Sequence, residues 1–261
     1  MPRIALGLEY DGTDFIGWQI QKTGRSIEGV LAAAVGQVAA EPVIVYGSGR
    51  TDAGVHALQQ VAHFDTTARR TERQWLLGVN SNLPPDVAIR WVQEVPADFE
   101  ARRSAVSRRY RYTILQQPAR PALVRDRVWW VREAIDCAAM TAAAVSWLGE
   151  HDFSAFRAAG CQAKTPMRRL LAVKVAQRPS AAGQVVTCEF TANAFLQHMV
   201  RNLVGTLAAV GRGQLLPQDA AAILASRDRA RAGVTAPPTG LALVEVLYAP
   251  HFGLPRYLDE P

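Results

Sequence analysis

A chain of 261 residues that is 49% hydrophobic and 20% charged has the composition of a folded globular protein, not of a disordered one, and no run approaches the roughly 18 apolar residues that span a bilayer, so no membrane partner is expected. Its three cysteines, Cys137, Cys161 and Cys188, are widely spaced and form no C-x-x-C pair, so neither a disulfide framework nor a zinc ribbon is indicated. Lys and Arg total 29 against 23 acidic residues, a net charge of +6, a modest excess that leaves nucleic acid open as a partner.

The N-terminus runs straight into a strand pattern: Ile4, Leu6, Leu8 and Tyr10 alternate as a half-buried strand over 3–10. It lacks the apolar core and cleavage site of a signal peptide, and a cytoplasmic location is expected. Ser26 offers an N-cap, and Ile27, Val30, Leu31, Ala34, Val35 and Val38 then fall at helical spacing until Pro42. Strands near 43–46 and 57–65 flank a glycine-rich turn, followed by a helix around 71–80 and a strand at 87–95. That order matches a ferredoxin-like half. Beyond residue 105 strands are expected at 106–116, 127–131, 169–177, 184–191 and 241–248, with helices at 136–148, 195–210 and 217–226. The pattern implies an α+β protein of two halves sharing a largely antiparallel sheet, with helices packed against it. The break at Pro96-Ala-Asp-Phe99 places the join near 100–106, giving residues 1–105, which carry the glycine-rich turn, and residues 106–261.

That turn is the richest segment. Residues 47–66 read GSGRTDAGVHALQQVAHFDT, with Arg50 and Asp52 two apart between glycines. A turn between strands holds a side chain on rigid supports while leaving it open to a ligand. A dinucleotide-binding reading of Gly47-x-Gly49 fails, because the third fingerprint position is Asp52, a carboxylate that would repel pyrophosphate. No phosphate-binding Walker pattern occurs. Glu9, Asp11 and Asp14 lie close together, but Asp11-Gly-Thr-Asp14 has turn composition, and the histidines show no metal-ligand spacing. Asp52 taken alone is also ordinary turn chemistry; its partner Arg50 is what suggests a site.

Basic residues cluster. Arg102, Arg103, Arg108, Arg109 and Arg111 crowd one stretch with Tyr110 and Tyr112 among them; Arg157, Lys164, Arg168 and Arg169 follow; Arg227, Arg229 and Arg231 form a third group, which reads as a solvated face. Arginines among aromatics suit a phosphate backbone with exposed bases. Over 106–116, period two puts Val106, Arg108, Tyr110, Tyr112 and Ile114 on one face and Arg109 and Arg111 on the other; one of the two tyrosines is expected to be plain core. In the helix at 195–210, Arg201 shares a face with Gln197, Gly205 and Ala208, and the small Gly205 and Ala208 let another backbone approach while the guanidinium reaches out.

Taken together, Gly47-Ser-Gly-Arg-Thr-Asp-Ala-Gly-Val-His-Ala57, Ser104-x-x-x-Arg108-Arg-Tyr-Arg-Tyr112, Asn193-Ala-Phe195, His198-Met-Val-Arg-Asn202, Thr239-Gly-Leu-x-Leu243, Tyr10-Asp-Gly-Thr13 and Phe15-x-Gly-Trp-Gln19 resemble the tRNA pseudouridine synthase A family over essentially the whole chain. Arg103 and Gln197 depart from the pattern, standing where Phe and His are usual. The resemblance implies the pseudouridine synthase fold, two ferredoxin-like or RRM-like halves with the active-site cleft between them. It implies that uridines 38, 39 and 40 of the tRNA anticodon stem-loop are isomerised by a homodimer without cofactor or metal. It makes Asp52 the catalytic aspartate, Arg50 the residue that takes the place of the extruded nucleotide, Tyr110 the ring that packs on the target base, and Arg201 the partner of the catalytic carboxylate. The residues agree: the reaction breaks C1′–N1 and forms C1′–C5 without net redox change or hydrolysis, and needs one ionised carboxylate, which a nearby guanidinium favours. Two other readings stay open from the residues alone, a non-catalytic RNA-binding module on the Arg/Tyr strand and a metal-dependent nuclease using Glu9, Asp11, Asp14 and Asp52.

Overall fold

A computed structural model describes residues 1–255. The chain divides into two compact units: residues 1–108 together with the segment from Ala242 onward, and residues 109–241. The sequence pattern places the last strand with the second half, whereas here it belongs with the first unit. Both units are α+β, with mainly antiparallel sheets.

The first unit runs β1 (Arg3–Tyr10), α1 (Ile27–Ala39), β2 (Tyr46–Gly47), β3 (His56–Asp65), α2 (Glu72–Asn82) and β4 (Val87–Val95), and ends with β10 (Leu241–Tyr248). The strand order is β4-β1-β3-β10, with β1 antiparallel to both neighbours. The strand expected at 43–46 shrinks to β2, which meets β3 only at Tyr46↔His63 and Gly47↔Ala62. The other end of the same β3 edge is taken by β10, which pairs in parallel at Ala242↔His56 and Leu243↔Ala57. Expected to be half-buried, β1 is instead buried on both faces from Ile4 to Leu8. Flanked by β3 and β4, it also carries the Trp91 indole over Gly7, where a methyl group would collide with the ring.

Local rules account for the helices. Ser26 caps α1 by accepting the Gly29 N–H, and Ile27, Leu31, Ala34 and Val35 bury one stripe. Thr71 and Gln74 form a reciprocal capping box at α2, whose Trp75 packs edge-on against Phe64 at 5.3 Å. The C-terminal segment is held to this unit by aromatic packing of Phe99 on Tyr248 and Phe252 and by the Tyr248 hydroxyl, which donates to the Ala101 carbonyl at 2.6 Å.

The second unit contains β5 (Ala105–Gln116) from Arg109 onward, β6 (Trp129–Val131), α3 (Cys137–Val145), β7 (Gly149–Asp152), β8 (Met167–Ser180), β9 (Gly183–Ala192), α4 (Met199–Gly211) and α5 (Asp219–Ser226). Its strand order is β5-β9-β8-β7, with β6 parallel on β5. Strand β7, Gly-Glu-His-Asp, has no apolar alternation to announce it and exists through its register with β8. Helix α4 begins four residues later than its periodicity suggests. Asn193 Oδ1 accepts the N–H groups of Arg169 and Ala194, and His198 takes a left-handed φ of 61° before the first turn. No helix among the described residues is long and apolar enough to cross a membrane.

Candidate active site

The turn between β2 and β3 is built on a buried polar scaffold within the first unit. Gln60, fully buried on β3, accepts at Oε1 from Ser48 Oγ at 2.5 Å and from the Val61 N–H at 3.2 Å. Its Nε2 donates to the Gly49 carbonyl at 2.8 Å and to the Tyr10 hydroxyl at 3.4 Å. The Tyr10 hydroxyl lies 2.8 Å from Thr51 Oγ1, and burial pushes the Tyr10 phenol up to about 12. The backbone is pinned as well: Ser48 N–H donates to the Val61 carbonyl at 2.7 Å and Trp18 N–H to the Thr51 carbonyl at 2.9 Å. Val55 N–H closes a turn on the Asp52 carbonyl at 3.1 Å, with Gly54 at the positive φ of 74° that such a turn requires.

Ser48 and Thr51 face the core; Arg50 is exposed and Asp52 half-exposed. The guanidinium and the carboxylate that the sequence singles out are thus presented outward by one rigid segment. A carboxylate so placed can attack an electrophilic carbon or take a proton.

Tyr110 and Arg201 lie in the second unit. Tyr110, 8% exposed, meets the Phe195 ring edge-on at 5.1 Å, so two sequence motifs distant along the chain come together. Tyr112 is the plain core residue of the pair: it is fully buried and donates to the Pro237 carbonyl at 2.8 Å, and burial drives its phenol far above the ordinary range. Arg201 Nε donates to the Ala236 carbonyl at 2.7 Å, while its own carbonyl accepts the Ala236 N–H at 3.1 Å. The expected close approach beside Arg201 is present, since the Val234 carbonyl rests directly on Gly205.

The arginine clusters read differently in three dimensions. Arg108 is a buried clamp on the carbonyls of Ser48, Arg102 and Ala105 and not part of an aromatic display surface. Arg109 and Arg111 do share the opposite face, but both pair with Glu189 of β9, at 3.3 and 2.6 Å. Arg157 wraps the loop after β7 by donating to the Cys161 and Ala163 carbonyls. Arg229, expected on a solvated face, instead binds Asn202 Oδ1, Thr235 Oγ1 and the Gly233 carbonyl and shapes the segment that reaches Arg201.

Two of the acidic residues considered for metal have other partners: Glu9 pairs with Arg90 at 2.7 Å, and Asp11 accepts from Thr13 N–H and Oγ1, the turn chemistry its composition suggests. Among the described residues no group of three or more His, Cys, Asp or Glu is placed to hold a metal ion. Sequence reading missed the supporting role of Gln60 and Arg108. The available signal was an amide at an inward position of an otherwise apolar strand, which must be hydrogen-bonded when buried.

The family model described as tRNA pseudouridine synthase matches residues 8–102 and 143–249. A protein of Methylococcus capsulatus named tRNA pseudouridine synthase A is 51% identical over 254 residues, covering 97% of this chain and 92% of its own length. Proteins of the same name from Nitrosococcus oceani and Coxiella burnetii (strain RSA 331 / Henzerling II) are 50% identical over 254 residues and 48% over 256. These cover 97% and 98% of this chain, and 96% and 97% of their own lengths. With its turn, its Tyr110 strand and its Arg201 helix all inside the matched regions or the aligned length, the chain belongs to the tRNA pseudouridine synthase family.

Proposed function

We propose that this protein isomerises uridine to pseudouridine at positions 38, 39 and 40 of the tRNA anticodon stem-loop. Asp52 is the catalytic carboxylate, and Arg50, Tyr110 and Arg201 bind the substrate. The single observation that carries the reading is the outward presentation of Arg50 and Asp52 from one buried, hydrogen-bonded turn. The family membership and the names of the relatives support the substrate.

In this reading the target base leaves the stack at a cost of a few kcal/mol. Arg50, long and exposed, offsets that cost by filling the gap, and Tyr110 offers a ring to the extruded base. C1′–N1 breaks, the base turns, C1′–C5 forms, and the proton on C5 is released while N1 gains one. Atoms and electrons balance with no oxidant, hydride carrier or phosphate donor. The protein works as a homodimer in the cytoplasm.

The test is tritium release from tRNA labelled at C5 of uridine, incubated with the protein in EDTA. Release by the wild type and none by Asp52→Asn, with tRNA still bound, is the expected result. Intact, bound tRNA without release by the wild type would make the protein an RNA-binding module, and chelator-sensitive strand cleavage would make it a nuclease.

A further inference from the structure

We propose that the hydrogen bond between Tyr10 and Thr51, backed by Gln60, is a positioning device that sets the direction in which Arg50 and Asp52 leave the turn. This inference rests on the proposed function of that turn and deepens it by naming residues that act through it.

Gln60 Oε1 receives both the Ser48 hydroxyl and the Val61 N–H, so the orientation of the amide is settled and Nε2 donates to Gly49 and Tyr10. Tyr10 Oη therefore accepts one hydrogen and turns its own toward Thr51 Oγ1, 2.8 Å away. At 3.4 Å the Gln60–Tyr10 contact is the weaker one. The Tyr10–Thr51 bond is the one that reaches the turn's functional stretch.

Thr51 is held from three sides. Its hydroxyl is fixed by Tyr10, its carbonyl by the Trp18 N–H, and that carbonyl lies flush against Gly17, where a methyl group would intrude. A side chain in that position, 6% exposed, cannot swing outward without leaving the hydrogen of a buried phenol without its acceptor. Its two neighbours along the chain are Arg50 and Asp52. Thr51 is buried while Arg50 is exposed and Asp52 half-exposed, so fixing the inward Thr51 fixes the backbone from which both neighbours project. A core tyrosine needs some acceptor for its hydroxyl, but any carbonyl would serve. Here the acceptor is the side chain between the two functional residues. Burial keeps the Tyr10 phenol protonated up to about 12, so the donor persists at every pH at which tRNA is handled.

The experiment measures kcat and KM by tritium release, tRNA affinity and melting temperature for Tyr10→Phe, Thr51→Val, Thr51→Ser and the Tyr10→Phe/Thr51→Val double variant. Loss of one such bond in a site that must be held within a fraction of an ångström is expected to lower kcat about tenfold, with KM and affinity changed less than about twofold. The double variant should be no slower than the slower single one, and Thr51→Ser, which keeps the hydroxyl, should stay within about twofold of wild type. Tyr10→Phe removes one oxygen and no carbon, and decides the matter alone if Thr51→Val does not fold. Wild-type kcat in Tyr10→Phe, additive losses in the double variant, or a loss confined to KM would each overturn the proposal. An inactive wild type overturns the functional reading and this proposal with it; an active wild type beside an unimpaired Tyr10→Phe overturns this proposal alone.

Discussion

The guanidinium of Arg108 lies 2.9 Å from the carbonyl oxygen of Ser48 and donates to it. Both residues belong to the first unit, whose first segment ends at Arg108. Arg108 is 8% exposed and also donates to the carbonyls of Arg102 and Ala105. It organises the entrance to the turn that presents Asp52 and does not display charge to solvent.

Arg108→Met should therefore act on stability before it acts on RNA affinity. Leaving buried carbonyls unsatisfied costs about 1–3 kcal/mol for each group. We expect a denaturation free energy lower by roughly 3 kcal/mol, with the slope of log affinity against log salt unchanged. A slope reduced by about one, with stability intact, would show a phosphate contact instead.

Gly205→Ala tests the approach of the Val234 carbonyl to α4. A methyl there collides with backbone and not with a flexible side chain, and overpacking of this kind costs typically about 1–3 kcal/mol. The same displacement would pull Ala236 away from Arg201 Nε. The expected outcome is a lower denaturant midpoint together with lower turnover; a stable variant with full activity would contradict the contact.

Glu41 controls acid behaviour at the end of β3. Its exposed carboxylate accepts from Thr66 Oγ1 and from the N–H and hydroxyl of Thr67, which pulls its pKa from 4.5 to about 2. A carboxyl depressed in the folded state stabilises fully above its unfolded value and loses that contribution as pH falls from 4.5 toward 2. Glu41→Gln should lower the melting temperature at pH 7, by an amount that shrinks with added salt and vanishes near pH 2. A difference from wild type that persists unchanged near pH 2 would be inconsistent with this.

Buried phenols set the alkaline limit. Burial raises Tyr10 to about 12, and Tyr112 and Tyr248 higher still, from an ordinary 10.0. A group whose folded pKa is raised contributes its full stability below the unfolded value and loses it as pH climbs through the folded one. The denaturation midpoint should hold to pH 10 and then fall toward pH 12. Tyr112→Phe should lessen that fall, at a neutral-pH cost of about 1 kcal/mol for the lost bond to Pro237. A midpoint that stays level through pH 12 would contradict these burials.

Much of the secondary structure is legible along the chain because its causes are local. Ser26, the Thr71–Gln74 box and the stripe Ile27, Leu31, Ala34 and Val35 act within one or two turns of themselves, and β4 and β10 occupy the residues that alternation assigns. Misreadings arise where a distant segment intervenes. Strand β2 is cut short on an edge of β3 that β10 also uses, β7 exists only through β8, and α4 starts late because Asn193 and His198 hold a turn first.

The site divides in the same way. Residue order alone determined that an arginine and an aspartate sit two apart in one glycine-bracketed turn, and that the flanking motifs resemble those of tRNA pseudouridine synthases. Tertiary structure decided which cations are committed: Arg108 to Ser48, Arg109 and Arg111 to Glu189, and Arg229 to Asn202. It also decided that Tyr112 is core, and that Tyr10 and Gln60 brace the turn. The physical reason is reach. Periodicity and capping are set by neighbours a few residues away, whereas the partner of a long cationic side chain or a buried hydroxyl is whatever group the fold brings to it from elsewhere in the chain.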